Sequence, residues 1–426
     1  MFIIKNEKKL INIALISIMA IFFGISVYVV LKHGNYFLLG SLDQMNNDDV
    51  KYIRSAQVLL SDHRLVYGFA DQPTVFIMPG LPLVLAAFFK IFGLSAGLDA
   101  FRVFQVLLHT LGIFLIFLIA RDIFNRRVAI IACLLYALYI PGISNTGLIL
   151  TEEIFMFLLL ALVYVSLLAL RTKKMGFYIA GGLLWGIACL FRPTVAPYPI
   201  VILIMWLIKK YTFKEMLKFT IVTALMFIIV MSPWWIRNYS TFDRFIPLTQ
   251  SSGNPFFQGT YVNYDESKDP PQYPVFNNEM QKDKFEMDTG MKRLRKGFSE
   301  NPVEYIYWYT LGKTYYAWYS PYYYKAVLGV TWNPVYFWHK LVICICILGM
   351  ILVVMKRKMH RDCMLPIITV LFFNTAYLPF FTSSRYAYPL YPLMFILGAY
   401  FVEEIIQYFI SRSKKAASRI SHKLLL

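Results

Sequence analysis

Long apolar runs separated by short polar stretches fill most of the chain. The first extends from Leu10 to Leu31, 22 residues in which only Asn12 is strongly polar. It is followed by Phe104–Ala120, Val128–Ile143, Leu148–Leu170, Gly176–Leu190, Thr194–Ile208, Phe219–Ile236, Tyr336–Met355, Cys363–Thr382 and Tyr386–Val402. A helix needs about 20 apolar residues to cross the hydrocarbon core, and its backbone polar groups must be satisfied within the segment. The pattern therefore predicts an all-α polytopic membrane protein with about ten transmembrane helices. Leu10–Leu31 is too long for the apolar core of a signal peptide, and no small-residue cleavage site follows it, so it reads as a retained first span. The two 15-residue runs on either side of Arg192 are short for crossings. Charge placement decides how they are read.

Short loops rich in Lys and Arg stay in the cytoplasm. The basic stretches are Lys5/Lys8/Lys9, Arg121/Arg126/Arg127, Arg171/Lys173/Lys174, Lys209/Lys210/Lys214/Lys218, Lys356/Arg357/Lys358/Arg361 and a tail with Arg412, Lys414, Lys415, Arg419 and Lys423. An even number of apolar runs separates each consecutive pair. Both termini are then expected in the cytoplasm, with Gly176–Leu190 and Thr194–Ile208 forming a hairpin that turns at the outer face. Two long loops fall outside. The first, 33–102, carries a surface helix over Val50–Leu60, a Pro-rich turn (FIMPGLP) and an apolar run to Phe92 too short to cross. The second covers Arg237–Val335. Three parts follow: an N-terminal transmembrane module (1–238), a large extracytoplasmic loop (239–335), and C-terminal helices with a basic tail (336–426).

Composition agrees with this reading. Hydrophobic residues make up 58% and charged residues 15% of the 426, against about 25% charged in soluble domains. The net charge of +18 sits mostly in the short loops, so it is a topology signal and does not imply nucleic acid. Membrane lipid is the expected surrounding. The five cysteines all lie in or beside apolar runs, which argues against a disulfide framework.

The polar exceptions gather at one depth. Asp48, Asp49, Glu152, Glu153, Arg192, Arg237 and Arg385 are all assigned to the outer boundary. The acid pair sits in NNDDVKYIRSA (Asn46–Ala56), where Asn and Asp would also serve as helix caps. Ionisable groups at this depth are costly unless paired, hydrated or functional. Snorkelling accounts for any one of them but less well for the set. Acids beside arginines can form a site in which a carboxylate is a base and guanidinium groups hold an anion. Tyr305–Tyr324 adds eleven Tyr or Trp in twenty residues, an interfacial belt that could also stack on sugar rings. The six histidines show no HxxxH or comparable ligand spacing, so a metal site is not favoured. A divalent ion on Asp48 and Asp49 would need further ligands.

Five local patterns resemble the GT-C superfamily of integral-membrane glycosyltransferases, in particular the branch with the protein O-mannosyltransferases and the lipid A aminoarabinose transferase. They are DDVKYIRSA; MPGLPLVLA (Met78–Ala86), where Leu81 replaces the usual aromatic and Met78 a proline; TEEIFMFLLLA (Thr151–Ala161); FRPT (Phe191–Thr194) with PWWIRNYSTFDRFIPL (Pro233–Leu248); and RYAYPLYPLM (Arg385–Met394). The resemblance implies a GT-C-like bundle in the plasma membrane with an extracytoplasmic active site. It also implies inverting transfer of a sugar from a polyprenyl-phosphate donor to an envelope acceptor of unidentified kind, protein, lipid or polymer. Asp48, which keeps the spacing to Tyr52, matches the family's acid, and Asp49 fills the second acidic position. Arg237 and Arg385 are the leading candidates for the carrier phosphate, with Arg192 and Lys313 behind them. Glu152 and Tyr52 are expected to position the acceptor, or Glu152 to pair with these arginines. Some relatives use a divalent ion with their acids. A lipid-linked-sugar transporter or flippase is the alternative; it would share the basic pocket without needing a carboxylate base.

Overall fold

The computed structural model describes residues 2–68, 71–270, 272–276, 278–356 and 361–424. Among these no strand forms beyond an isolated bridge between Val327 and Val330. The chain begins with α1 (Phe2–His33), the short α2 (Asp48–Asp62) and α3 (Gly80–Phe92). A membrane bundle follows: α4 (Leu94–Ile123), α5 (Arg126–Ala137), α6 (Ile140–Asn145), α7 (Glu152–Thr172), α8 (Met175–Phe191), α9 (Pro199–Ile208) and α10 (Phe213–Phe242). The second long loop folds into α11 (Gly253–Gly259), α12 (Glu279–Glu300), α13 (Pro302–Tyr307) and α14 (Lys313–Trp318), with a π-helical turn at Trp308–Gly312. The chain closes with α15 (Trp332–Met355), α16 (Met364–Tyr377), α17 (Ser384–Ala387) and α18 (Tyr391–Leu424).

Local chemistry sets many of these ends. Asn125 caps α5 by accepting from the Arg127 and Val128 amides, and Thr212 with Glu215 forms a capping box on α10. Gly93, at φ 76° and ψ 177°, makes the sharp turn from α3 into α4, a conformation that a side chain would obstruct. Each of the ten expected runs contains an α-helix, though several helices are shorter than their runs. Among the described residues, six helices are long and apolar enough to cross a membrane, and three shorter apolar ones span Gly80–Phe92, Met175–Phe191 and Pro193–Ile208. Val128–Ile143, expected as one crossing, is instead two helices broken at Leu138–Tyr139. Pro141 starts the second helix, where its missing N–H costs nothing. The segment Pro141–Gly147, expected as an outer turn, is thus largely helical and buried.

The bundle is built around α4, α7 and α18. Helix α4 packs on α1, α3, α5 and α7; α7 continues to α8, and α8 to α10; α18 packs on α15 and α5. Residues Leu393–Leu397 of α18 are at most 3% exposed. Close approach depends on small residues, as is usual where lipid supplies no hydrophobic drive between helices. A Cβ on Gly349 of α15 would lie 2.1 Å from the Leu397 carbonyl oxygen of α18. The basic turns converge at one end, where Arg171 and Lys209 share Asp362 at 2.6 and 2.5 Å and Lys173 meets Glu215 at 2.7 Å. All five cysteines are free.

Gly349→Leu is expected to force α15 away from α18. Overpacking of this kind costs about 1–3 kcal/mol or more, so thermal unfolding in detergent should shift down by several degrees. An unchanged midpoint would mean that the two helices do not pack at this point.

Candidate active site

At the end of the bundle opposite the basic turns, three helix starts and one helix end meet. Asp48 and Asp49 open α2, Glu152 and Glu153 open α7, Arg192 follows the last turn of α8, and Arg385 sits in α17. The acids occupy first turns, where exposed amides and the helix dipole favour negative charge. The Asn47 side chain makes no capping bond to α2.

Four of these side chains form one continuous ionic chain. Arg385 donates Nη1 to Asp48 Oδ2 at 2.7 Å and Nε to Glu152 Oε1. Arg192 Nη1 donates to the same Glu152 oxygen at 3.0 Å, and its guanidinium lies 5.7 and 5.3 Å from the rings of Phe155 and Tyr386. The Tyr67 hydroxyl donates to Asp48 Oδ1 at 2.7 Å. Two carboxylates and two guanidiniums leave the chain neutral. That matters because an uncompensated buried charge is severely destabilising.

The two carboxylates sit in different environments. The Glu152 side chain is 2% exposed and that of Asp48 39%, so Asp48 is the one a dissolved molecule can reach. Burial alone would raise the Asp48 carboxyl, but Arg385, the Tyr67 hydroxyl and Lys51 outweigh it and hold it below its ordinary range. Tyr52 leans on Tyr67 with ring centroids 5.7 Å apart, and burial, then the Asp48 charge, push its phenol up. Asp49 turns the other way. It is fully buried and accepts from the Leu39 amide at 2.6 Å and the Val50 amide at 2.8 Å.

Behind the chain lies a second buried cluster. Glu153 accepts from the Tyr388 hydroxyl and meets His109 Nδ1 at 2.9 Å. The His109 ring is stacked between Phe22 and Tyr136, at centroid separations of 4.6 and 4.3 Å. Sequence reasoning placed Glu153 at this boundary but missed His109, Tyr388 and Tyr67. Tyr388 lies within RYAYPLYPLM, three residues after Arg385, so that motif held a readable signal. Tyr67 and His109 had none, being joined to their acids only by folding.

The remaining expected residues lie outside the ionic chain. Arg237 stacks over Trp234 and Phe242, each at 5.3 Å, and donates to the Thr74 carbonyl at 2.8 Å and Asn238 Oδ1 at 3.0 Å. Lys313 is fully buried. Its ammonium donates to the carbonyls of Leu378 (2.7 Å) and Phe380 (3.0 Å) and sits 3.8 Å from the Tyr309 ring centroid. Burial lowers its pKa to about 7. The aromatic stretch divides between two environments. Tyr305, Trp308, Tyr322 and Tyr323 are buried, whereas Tyr307, Tyr315, Tyr319 and Tyr324 are exposed. Tyr322 borders the site: burial and then the Glu152 charge push its phenol up.

A divalent ion fits this arrangement poorly. Among the described residues no group of three or more His, Cys, Asp and Glu is placed to hold a metal. Asp49 spends its oxygens on two amides, and both Asp48 oxygens are already engaged.

Comparison with known proteins agrees with the fold. Residues 71–236 match the sequence profile of the dolichyl-phosphate-mannose-protein mannosyltransferase family. No curated protein matches the chain. The fold is similar to that of ArnT from Cupriavidus metallidurans bound to undecaprenyl phosphate, with a TM-score of 0.55 and 13% identity over 90% of this chain and 60% of that one. It is similar also to the archaeal oligosaccharyltransferase AglB from Archaeoglobus fulgidus in complex with an inhibitory peptide and a dolichol-phosphate (TM-score 0.56, 13% identity, 95% of this chain and 52% of that one). The chain thus spans 60% and 52% of these two proteins. The expected GT-C-like membrane fold, and the resemblance read from the five motifs, are borne out.

Lys313 gives a pH test. With its pKa near 7 in the fold and about 10.4 when unfolded, the unfolded chain binds more protons between these values. Stability contributed by this group should therefore rise with pH from 7 towards 10, the cost of burying the charge being greatest below 7. Lys313→Met should flatten that rise in a series of melting curves from pH 6 to 10. Parallel curves for the two proteins would mean that the lysine holds its proton throughout.

Proposed function

We propose that the chain is a membrane glycosyltransferase that moves a sugar from a polyprenyl-phosphate donor to an acceptor hydroxyl outside the cytoplasmic membrane, with inversion at the anomeric carbon. The observation that carries this reading is the solvent-reachable carboxylate of Asp48, joined through Arg385 to Glu152 and Arg192. A base and two phosphate-binding guanidiniums then stand side by side at the outer end of the bundle. The similarity to proteins solved with undecaprenyl phosphate and a dolichol-phosphate supports a lipid-phosphate donor.

The chemistry divides as follows. An acceptor hydroxyl attacks the anomeric carbon as Asp48 takes its proton, and the bond between that carbon and the phosphate oxygen breaks. Polyprenyl phosphate leaves as an anion, so it needs positive charge nearby rather than a proton. Arg385 and Arg192 supply that charge on this reading, because guanidinium offers phosphate a planar fork of donors. Arg237, which makes no carboxylate contact among the described residues, is available to a carrier phosphate from its place beside Thr74. Asp49 is assigned a structural role, holding Leu39 to the start of α2.

Donor binding would also adjust the base. In the free protein Arg385 holds Asp48 ionised but weakly basic. A phosphate that draws Arg385 towards itself loosens this pairing, and the Asp48 pKa rises towards its unpaired value. The carboxylate thereby becomes a stronger base when the donor is in place.

Asp48→Asn should lower turnover about 10²–10⁴-fold, the usual worth of a general base, while carrier binding survives. The assay uses protein in lipid nanodiscs with a panel of radiolabelled polyprenyl-phosphate sugars and follows release of free polyprenyl phosphate. Equal release from both proteins would remove Asp48 as the base. Tight carrier binding with no release from any donor would favour the transporter reading.

A further inference from the structure

The lower halves of α7, α8 and α10, with α9 from its first residue, enclose a cavity of about 340 Å³ away from the ionic chain. Its walls include Leu162, Ser166, Tyr178, Gly181, Leu203 and Thr223. Leu162 lies ten residues along α7 from Glu152, so the cavity begins about 15 Å below the site at the helical rise per residue. Nearly every polar atom in the walls is bonded within the protein. Tyr198 donates to Ser166, Trp185 to the Val195 carbonyl, Trp206 to the Tyr178 hydroxyl, and Thr223 to the Tyr178 carbonyl. The surface offered to an occupant is therefore hydrocarbon.

Two further features say how such an occupant enters and which way it points. Helix α10 packs on α8, whereas α9 packs on α16 and α7, and α9 and α10 share no extended packing among the described residues. Beside the gap between them Ile200 and Leu203 are 48% and 46% exposed, an apolar side that would face lipid in a membrane. Below, the cavity is floored by aromatics. Tyr178 stacks on Phe219 at 3.7 Å, and the Tyr178 hydroxyl donates to that of Tyr211. Tyr211 in turn donates to the Leu170 carbonyl and carries Lys173 over its ring at 4.3 Å. Lys173 and Lys218 lie over the Tyr211 and Phe219 rings of this floor, and Lys174, Lys209, Lys210 and Lys214 follow in the adjoining turns, against the acids Glu215 and Asp362.

We infer that this cavity holds an acyl chain of an anionic phospholipid from the leaflet at the basic end of the bundle, the headgroup resting on the lysine collar. A hydrocarbon slot open to the bilayer accepts a lipid tail. The excess of lysine at its foot selects a negative headgroup, as basic clusters do at an anionic membrane surface. The site lies at the other end of the bundle from the transfer site, and it does not depend on the reaction proposed there.

The test uses the full chain in nanodiscs with phosphatidylglycerol or phosphatidylcholine carrying a photoactivatable group at mid-chain, and maps adducts by mass spectrometry. Labelling should fall on 177–185, 199–206 and 220–224, at least about five-fold stronger from phosphatidylglycerol. A Cβ on Gly181 meets only Val165 Cγ1, at 3.9 Å. Gly181→Leu should therefore fill the slot without disturbing the fold and cut labelling about five-fold. Combined Lys174→Gln, Lys210→Gln and Lys214→Gln should leave the labelling but abolish the headgroup preference, and this arm stands even where the cavity variant misfolds. Equal labelling by both lipids, absence of labelling, or displacement of phosphatidylglycerol by equimolar polyprenyl phosphate would each overturn the assignment. The last of these would give the cavity to the carrier's tail.

Discussion

The structure depends on neutralising charge where water is scarce. Arg385 lies between two carboxylates from distant parts of the chain, Asp48 and Glu152, and Glu152 is further bound by Arg192. Sharing Arg385 joins what would otherwise be two separate neutral pairs into one set. Glu152 beside two guanidiniums would carry an excess positive charge, and Asp48 supplies the missing negative one. Because a lone buried charge is so costly, the first turns of α2 and α7, the end of α8 and the short α17 must arrive at one place together. The ionic chain thereby draws the long first loop onto the membrane bundle.

Asymmetry within the chain gives it a use. Glu152 is enclosed and doubly held, which suits a fixed element that sets the position of both arginines. Asp48 is singly paired, partly exposed and steadied by Tyr67. A competing anion can take Arg385 from Asp48 more readily than from the enclosed Glu152, whose desolvated pairing is stronger. The second cluster extends the same logic. Tyr388, three residues beyond Arg385, is tied to Glu153, the residue next to Glu152. Adjacent acids of one helix start thus hold both ends of a single turn, limiting how far Arg385 can move.

Much of this was legible in the sequence because it depends on local or compositional rules. The helices follow from apolar length, and the shared depth of the acids and arginines follows from alternating basic loops. Other features were hidden in packing. Asp48 and Asp49 occupy neighbouring positions of one first turn; the spacing to Tyr52 favours Asp48 as the acid, but no pattern in NNDDVKYIRSA gives the direction in which either side chain turns. That is settled by Leu39, whose amide comes from a loop folding back onto α2. Arg192 caps the end of α8 after Phe191 and Arg237 lies in the last turns of α10 after Trp234 and Trp235, yet of the two only Arg192 reaches Glu152. Lys313 sits in a stretch whose tyrosines and tryptophans read as a membrane belt. In the fold one face of that stretch is buried, and the lysine binds carbonyls rather than lying open to an anion.

The two ends of the bundle solve opposite problems with the same helices. At the start of α7 and the end of α8, charged groups are gathered and satisfied by one another, which leaves a neutral site that a competing anion would reorganise. Lower on these helices the polar atoms are satisfied inward, and the exposed walls are left apolar. Glycine makes both possible. Gly80, at the start of α3, lets that helix approach the Leu190 carbonyl near the end of α8, where its Cβ would lie 2.5 Å away. Gly182 and Gly186, one turn apart on α8, let α10 approach so closely that a Cβ would lie 2.5 Å from the Thr223 carbonyl and 2.7 Å from Val230. Neighbouring Gly181 leaves open the space that α10 does not fill. Helix α8 therefore ties the ionic site to the apolar cavity through its backbone contacts, and changes to its small residues would be felt at both ends.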